Sequence, residues 1–156
     1  MRQPYTTYYH SPIGPLEIRG TEEGIRSICF VEETAPSSTE IPPCLATCAR
    51  QLEEYFQGQR QEFSVDLLIH GTEFQRRVWQ QLQQIPFGHT ASYLDIATAL
   101  GNPKAIRAVG NANGKNPISI MIPCHRIIGT NGKLIGYGGG LWRKEWLLRH
   151  EKSCLL

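Results

Sequence analysis

The stretch ISIMIPCHR, residues 118–126, joins an apolar, alternating segment to a cysteine and a histidine. The alternation predicts a buried strand over residues 118–122, and the strand ends at Pro123 because proline has no N–H to donate. Such a strand end would hold the sulfur of Cys124 rigidly beside His125. A neighbouring basic side chain favours the thiolate, which is the reactive form of cysteine. None of the other four cysteines has this setting.

The sequence around Cys124 and His125 does not identify the third group that such a pair usually needs. A histidine base usually needs another group to fix its tautomer. The acidic residues of the second half are Glu73, Asp95, Glu145 and Glu151, and position alone does not choose among them. The competing interpretation is structural: Cys124 would be a small core residue and His125 a hydrogen-bonded turn residue.

Upstream of this pair, two short helices form a helix-turn-helix candidate. The first helix begins at Ser92 and ends at Leu100–Gly101. Asn102 and Pro103 then predict the N-cap and first position of a helix that runs to about Asn111 or Ala112.

The second of these helices has two distinct faces. Spacing predicts a packed side of Ala105, Ala108, Val109 and Ala112. Lys104, Arg107 and Asn111 form the other side, where small residues and Gly110 would allow close approach to a surface. A solvated amphipathic helix is the alternative to a nucleic-acid contact.

Charge divides the chain into unlike halves. Residues 1–71 carry 5 Lys/Arg and 10 Asp/Glu, net −5, whereas residues 72–156 carry 11 and 4, net +7. A basic half on a nearly neutral protein indicates a localised surface for a polyanion. The N-terminus shows no apolar signal-peptide core, and no apolar run in the sequence is long enough to span a membrane. We therefore expect an intracellular protein.

The remaining patterns predict two domains, 1–70 and 71–156. The first combines a β-meander up to Val31, a helix from Cys44 to Gln57, and a last strand or linker over 63–69. In the second, Thr72 and Gln75 form a capping box, Asn131–Gly132 predicts a short hairpin, and a last helix covers residues 141–150. The odd number of cysteines argues against a disulfide framework, and their spacing does not match paired C-x-x-C zinc ligands. We therefore expect neither disulfides nor a metal site.

Four segments are similar to the O6-alkylguanine-DNA alkyltransferases. They are IPCHRIIG (122–129), NPKAIRAVG (102–110), NP (116–117) and GGLWRKEWLLRHE (139–151). The similarity is specific over 72–152 and weaker before it, where SPIGPL (11–16) and LEEYFQG (52–58) match. The resemblance implies an α/β (α+β) protein, with a small ribonuclease-H-like antiparallel-sheet domain before a mainly helical DNA-binding domain.

The resemblance also implies the chemistry. Cys124 would take the alkyl group from guanine oxygen-6 in one irreversible displacement, so the protein would be a single-turnover methylated-DNA–protein-cysteine S-methyltransferase without a cofactor. His125 would accept the thiol proton through water, Glu151 would orient His125, and Asn116 would brace the turn. Tyr93, Ile127, Tyr137 and Gly138 would line the base pocket.

The implied partner is double-stranded DNA containing alkylated guanine or thymine, bound by a monomer through the minor groove with the damaged nucleotide flipped out. The implied DNA contacts are Lys104, Ala105, Arg107, Ala108 and Asn111. The compartment would be the cytoplasm, or the nucleus in a eukaryote. Some relatives have Ser where this chain has Gly138, which suggests a wider pocket here. The alternatives are a non-catalytic binder of alkylated DNA and a Cys–His hydrolase.

Overall fold

The computed structural model describes residues 4–155, and the chain divides into two compact units. One unit contains the chain up to His70 together with Pro117–Ser119, and the other contains Gly71–Asn116 and the chain from Ile120 onward. The predicted boundaries had placed residues 117–119 in the second domain. They belong with the first because the N–H of Ile28 donates to Pro117 O (3.0 Å) and the N–H of Ser119 donates to Ile28 O (2.9 Å).

The first unit is an antiparallel meander covered by one helix. Strands β1 (Tyr5–Ser11), β2 (Gly14–Thr21) and β3 (Gly24–Phe30) lie side by side in chain order. Helix α1 (Pro43–Phe56) packs on all three strands. It begins one residue before the predicted start, because proline suits the first turn of a helix. Of the two predicted alternatives for residues 63–69, a last strand or a linker, the structure shows the linker, with a single bridge between Ile25 and Leu67.

The second unit is mainly helical. Its helices are α2 (Glu73–Leu82), α3 (Tyr93–Ala99), α4 (Ile106–Gly114) and α5 (Leu141–Ser153). Strand β4 (Ala91–Ser92) pairs in parallel with β5 (Ile127–Ile128), and Cys124–Arg126 form a short 3-10 helix. Capping boxes fix the starts of α2 and α3. The predicted α+β class, a small sheet domain followed by a helical domain, is confirmed.

The turn between α3 and α4 differs from the predicted one. The N–H groups of Gly101 and Asn102 close a Schellman motif on the carbonyls of Thr98 and Ala97. The side chain of Asn102 then caps a turn at the N–H of Lys104 instead of a helix. Helix α4 therefore begins at Ile106, three residues later than Pro103, and ends at Gly114.

This later start also changes the buried face of α4. Val109, Ala112 and Asn113 are buried, whereas Ala108 is exposed and Ala105 precedes the helix. The predicted packed side was therefore wrong at Ala108. The Trp79 indole donates to Ala112 O at 2.9 Å and ties α2 to the buried side of α4.

The segment before Cys124 is buried as predicted but is not a strand. Ile118 makes one isolated bridge, and residues 119–121 form a turn. Ile120 has φ 72°, a left-handed conformation that is unfavourable for a β-branched residue. The apolar run therefore predicted correctly that this segment is buried. Its backbone conformation depends instead on the bridge between Ile118 and Ile28 and on the tight turn that follows.

The predicted hairpin is also absent from the described part of the chain. The Asn131–Gly132 turn forms, closed by Gly129 N–H to Lys133 O at 2.9 Å, but no strand ladder extends from it. Ile127 and Ile128 pair instead with β4. None of the helices in residues 4–155 has the length and apolar character needed to cross a membrane.

Candidate active site and DNA-binding surface

Cys124 lies at the start of the 3-10 helix, where its side chain is almost enclosed at 7% exposure. The carbonyl of Ile122 accepts two hydrogen bonds that shape this turn. One comes from the backbone N–H of Cys124 and the other from the side-chain amide of Asn116, both at 2.8 Å. Asn116 therefore lies where the sequence prediction required a brace.

Burial raises the pKa of the Cys124 thiol. A hydrogen bond from the Asn116 side chain and the positive charge of Lys144 act in the opposite direction without cancelling the effect of burial. The resting thiol therefore keeps its proton near neutral pH. A reaction at this sulfur needs a base that removes the proton.

His125 is fully buried, and its Nε2 lies 2.6 Å from Glu151 Oε2. Burial lowers the pKa of His125, although Glu151 opposes that shift, so the imidazole is neutral. A neutral imidazole carries one N–H, and the carboxylate can only accept, so Nε2 holds the proton. Nδ1 then carries a lone pair, and it has no hydrogen-bond partner among the described residues. This nitrogen can accept a proton.

Arg126 completes a buried cluster that the sequence did not predict. Its Nε and NH2 groups donate to the two oxygens of Glu151 at 2.8 and 3.0 Å, and its NH1 donates to Ile85 O. Burial alone would raise the pKa of Glu151, but His125 and Arg126 hold it well below its ordinary value. Glu151 is thus an ionised group that orients His125 while Arg126 balances its charge.

Lys144 is a second buried cation that the sequence did not reveal. It is fully enclosed, and its Nζ donates to Ile135 O at 2.7 Å. Burial lowers its pKa to about 8, with Cys124 opposing the shift. Its position on α5 gave the only signal, since Lys144 lies one turn before the buried Leu147.

The four predicted base-pocket residues have different surroundings. Tyr93 is half-buried at the start of α3, and burial raises its pKa. Tyr137 is partly buried and Gly138 is exposed. The side chain of Ile127 is fully buried on β5, and its contact with the substrate stays a prediction. Its place in the ladder with Ala91 encloses it.

The predicted DNA contacts lie on the accessible side of α4 and the turn before it. Lys104, Arg107, Ala108 and Asn111 are exposed, and Ala105 is partly exposed. Lys104, Arg107 and Asn111 line one concave surface together with Tyr93 and Gly110. A Cβ added at Gly110 would lie 3.7 Å from the Tyr93 ring, an ordinary van der Waals contact, so the two residues are close neighbours on this surface. In the described residues, no group of three or more His, Cys, Asp or Glu side chains could hold a metal ion.

Two family models match the chain. Residues 73–153 match the 6-O-methylguanine DNA methyltransferase DNA binding domain, and residues 5–69 match its ribonuclease-like domain. A methylated-DNA–protein-cysteine methyltransferase of Methanosarcina acetivorans is 48% identical over 96% of this chain and 99% of the relative. One from Mycolicibacterium paratuberculosis is 50% identical over 91% and 88%.

Solved structures agree with these matches. The O6-methylguanine methyltransferase of Mycobacterium tuberculosis superposes with a TM-score of 0.87 at 45% identity, covering 96% of this chain and 93% of that one. A structure of the same bacterium's OGT in complex with DNA gives 0.86 at 48% identity, covering 94% and 92%.

Proposed function

The chain belongs to the 6-O-methylguanine DNA methyltransferase family, and from this membership we infer that it repairs DNA by moving an alkyl group onto one of its own cysteines. It is a methylated-DNA–protein-cysteine methyltransferase with a DNA-binding domain.

The acceptor we propose is Cys124. The observation that carries this assignment is the buried thiol at the head of a cluster in which His125 is neutral and presents an unprotonated Nδ1. The thiol proton passes to that nitrogen through a water, and Glu151 stabilises the imidazolium that results. Arg126 keeps Glu151 ionised and fixed.

In the transfer step, the sulfur forms a bond to the alkyl carbon while the bond from that carbon to guanine oxygen-6 breaks. The electron pair of the broken bond stays with the base. Tyr93, at the edge of the site, donates a proton as the leaving guanine gains charge. Tyr137 and the N–H of Gly138 border the base, and this N–H faces oxygen-6 as a donor. The product thioether is stable, so each molecule reacts once.

The proposed DNA contacts are Lys104, Ala105, Arg107, Ala108 and Asn111. A relative of this family has been solved with DNA, and the exposed side of α4 here carries Arg107 and small side chains, with Lys104 exposed in the turn before it. We propose that α4 enters the minor groove, where small residues permit close approach, and that Arg107 fills the space left by the flipped nucleotide. The substrates would be O6-alkylguanine and O4-alkylthymine in duplex DNA.

The whole reactive cluster comes from one chain, since Asn116, Cys124, His125, Arg126 and Glu151 all lie in the second unit. This supports a protein that acts as a monomer. Its substrate places it in the compartment that holds DNA, which is the cytoplasm of a prokaryote and the nucleus of a eukaryote.

Intact-mass and peptide mass spectrometry test the assignment directly. After incubation with a duplex containing O6-methylguanine, we expect one added methyl group per molecule, located on the peptide that contains Cys124. The same duplex with unmodified guanine is the control. A methyl group on another cysteine would refute Cys124 as the acceptor, and release of product over many turnovers would indicate a Cys–His hydrolase.

A further inference from the structure

Three large apolar side chains of the second unit remain strongly exposed beside the proposed DNA face. They are Leu94 at 38%, Ile135 at 42% and Ile106 at 43% exposure. All three line one concave surface, together with Tyr93 and the turn around Asn131. A contiguous exposed apolar patch of this kind usually marks a contact surface.

Ile106 connects this apolar surface to the proposed DNA face. It is the first residue of α4 and the neighbour of Arg107. It lines both the concave surface that holds Leu94 and Ile135 and the one that holds Lys104 and Arg107. Tyr93 also lines both surfaces. Ile106 therefore lies near the tyrosine that we propose donates a proton to the leaving guanine.

The charges around the patch indicate its occupant. Lys104 and Arg107 line one of the two concave surfaces that contain Ile106, and Lys133 lines the other, apolar one. The Asn131–Gly132 turn positions the backbone of Lys133, whose N–H donates to Asn131 Oδ1 at 3.1 Å. Apolar side chains flanked by cations suit a nucleic acid, because phosphates bind the cations while sugars and base faces cover the apolar centre.

We propose that Leu94, Ile106 and Ile135 form an apolar wedge that packs on sugars and unstacked base faces of the DNA beside the extruded nucleotide, while Lys133 binds a flanking phosphate. This inference rests on the proposed function. It adds to Arg107 a second group that stabilises the duplex with its nucleotide flipped out. Arg107 fills the vacated position in the stack, and Ile106 shields the base face exposed next to it. The wedge therefore lowers the free energy of the open duplex.

The test uses equilibrium binding and transfer rates on the full chain. The probes are a duplex containing O6-methylguanine, the same methylated strand without its complement, and free O6-benzylguanine. Ile106→Ala should weaken binding to the duplex by about fivefold, since it removes part of an apolar contact. Its reaction with free O6-benzylguanine should match the wild type, and its loss on the single strand should be smaller. Ile106→Leu should restore duplex binding.

Salt dependence separates the apolar contact from the ionic one. Ile106→Ala should leave the slope of log K against log salt unchanged, whereas Lys133→Ala should reduce that slope by about one. Leu141→Ala is the matched control, because Leu141 is 48% exposed and lines neither concave surface.

Two outcomes would overturn the wedge. One is equal duplex binding by Ile106→Ala and Leu141→Ala. Another is an oligomeric state in the absence of DNA that Ile106→Ala abolishes, which would assign the patch to a second copy of the chain. The proposed function fails separately, if wild-type Cys124 gains no alkyl group from free O6-benzylguanine or from the methylated duplex.

Discussion

Two buried cysteines, one in each unit, differ in what surrounds the sulfur. Cys48 is fully enclosed on α1, and burial raises the pKa of its thiol to about 12, with Cys44 adding to the shift. Burial also raises the pKa of Cys124, but there Asn116 and Lys144 oppose the shift. Burial alone makes a thiol inert, and polar groups arranged around the sulfur determine whether it can react.

Exchanging each cysteine for alanine gives the largest contrast. Cys124→Ala should abolish methyl transfer and keep DNA binding, because it removes the acceptor and leaves α4 unchanged. Cys48→Ala should keep the transfer rate and lose about 1 kcal/mol of stability, because it opens a small gap in the core of the first unit. Single-turnover transfer of a labelled methyl group and urea unfolding measure the two effects. Methyl transfer to the Cys124→Ala variant would show that Cys124 is not the acceptor and does not differ from Cys48 in reactivity.

The same contrast between the units holds for two Arg–Glu pairs. Glu151→Gln leaves Arg126 buried without a balancing charge and should cost about 3–5 kcal/mol. Glu54→Gln, which breaks the partly exposed pair with Arg60 (2.9 Å), should cost less than about 1 kcal/mol. Urea unfolding at neutral pH measures both values. Similar small losses would show that the buried cluster contributes no more than a surface ion pair.

Acid unfolding provides an independent check on Glu151. Its pKa is lowered in the folded protein, so the unfolded chain takes up the proton first as the pH falls below the ordinary value of 4.5. The stability contributed by Glu151 is therefore present above that pH and is lost on further acidification. Glu151→Gln should lack this part of the pH dependence, whereas Glu54→Gln should retain it.

Local signals predicted the ends of the helices better than they predicted the reactive centre. Thr72 and Ser92 form capping boxes with residues three positions away, so their sequence contained the whole interaction. Asn102 failed as a helix cap because its side chain serves a separate turn. The apolar run at 118–122 indicated burial, but a buried strand and a buried turn share that composition.

The buried charges could not be predicted for a different reason. Arg126 meets Glu151 from 25 residues away, and Lys144 meets the carbonyl of Ile135 on the preceding loop. The amino-acid sequence shows that these side chains are charged. It does not show that residues distant along the chain bury them and pair with them. The resemblance supplied Glu151 as the orienting group, whereas its ion pair with Arg126 emerged only from the fold.

The smallest expected effect concerns Gly138, in the loop before α5. A Cβ at Gly138 would meet nothing within 4 Å, so Gly138→Ser should change stability by less than about 0.5 kcal/mol. Gly140→Ser is the matched control. Gly140 has φ 96° and its added Cβ would lie 3.3 Å from Trp142, so this variant should lose about 1–3 kcal/mol.

If Gly138 widens the space beside Cys124, the serine variant should slow transfer of a benzyl group more than transfer of a methyl group. The ratio of the two rates, measured on DNA with each lesion, isolates the width of the site from the reactivity of the sulfur. An unchanged ratio would mean that the open space at Gly138 lies outside the path of the alkyl group. The difference between Cys124 and Cys48 would then depend on the charges and hydrogen bonds around the sulfur, with no contribution from the loop.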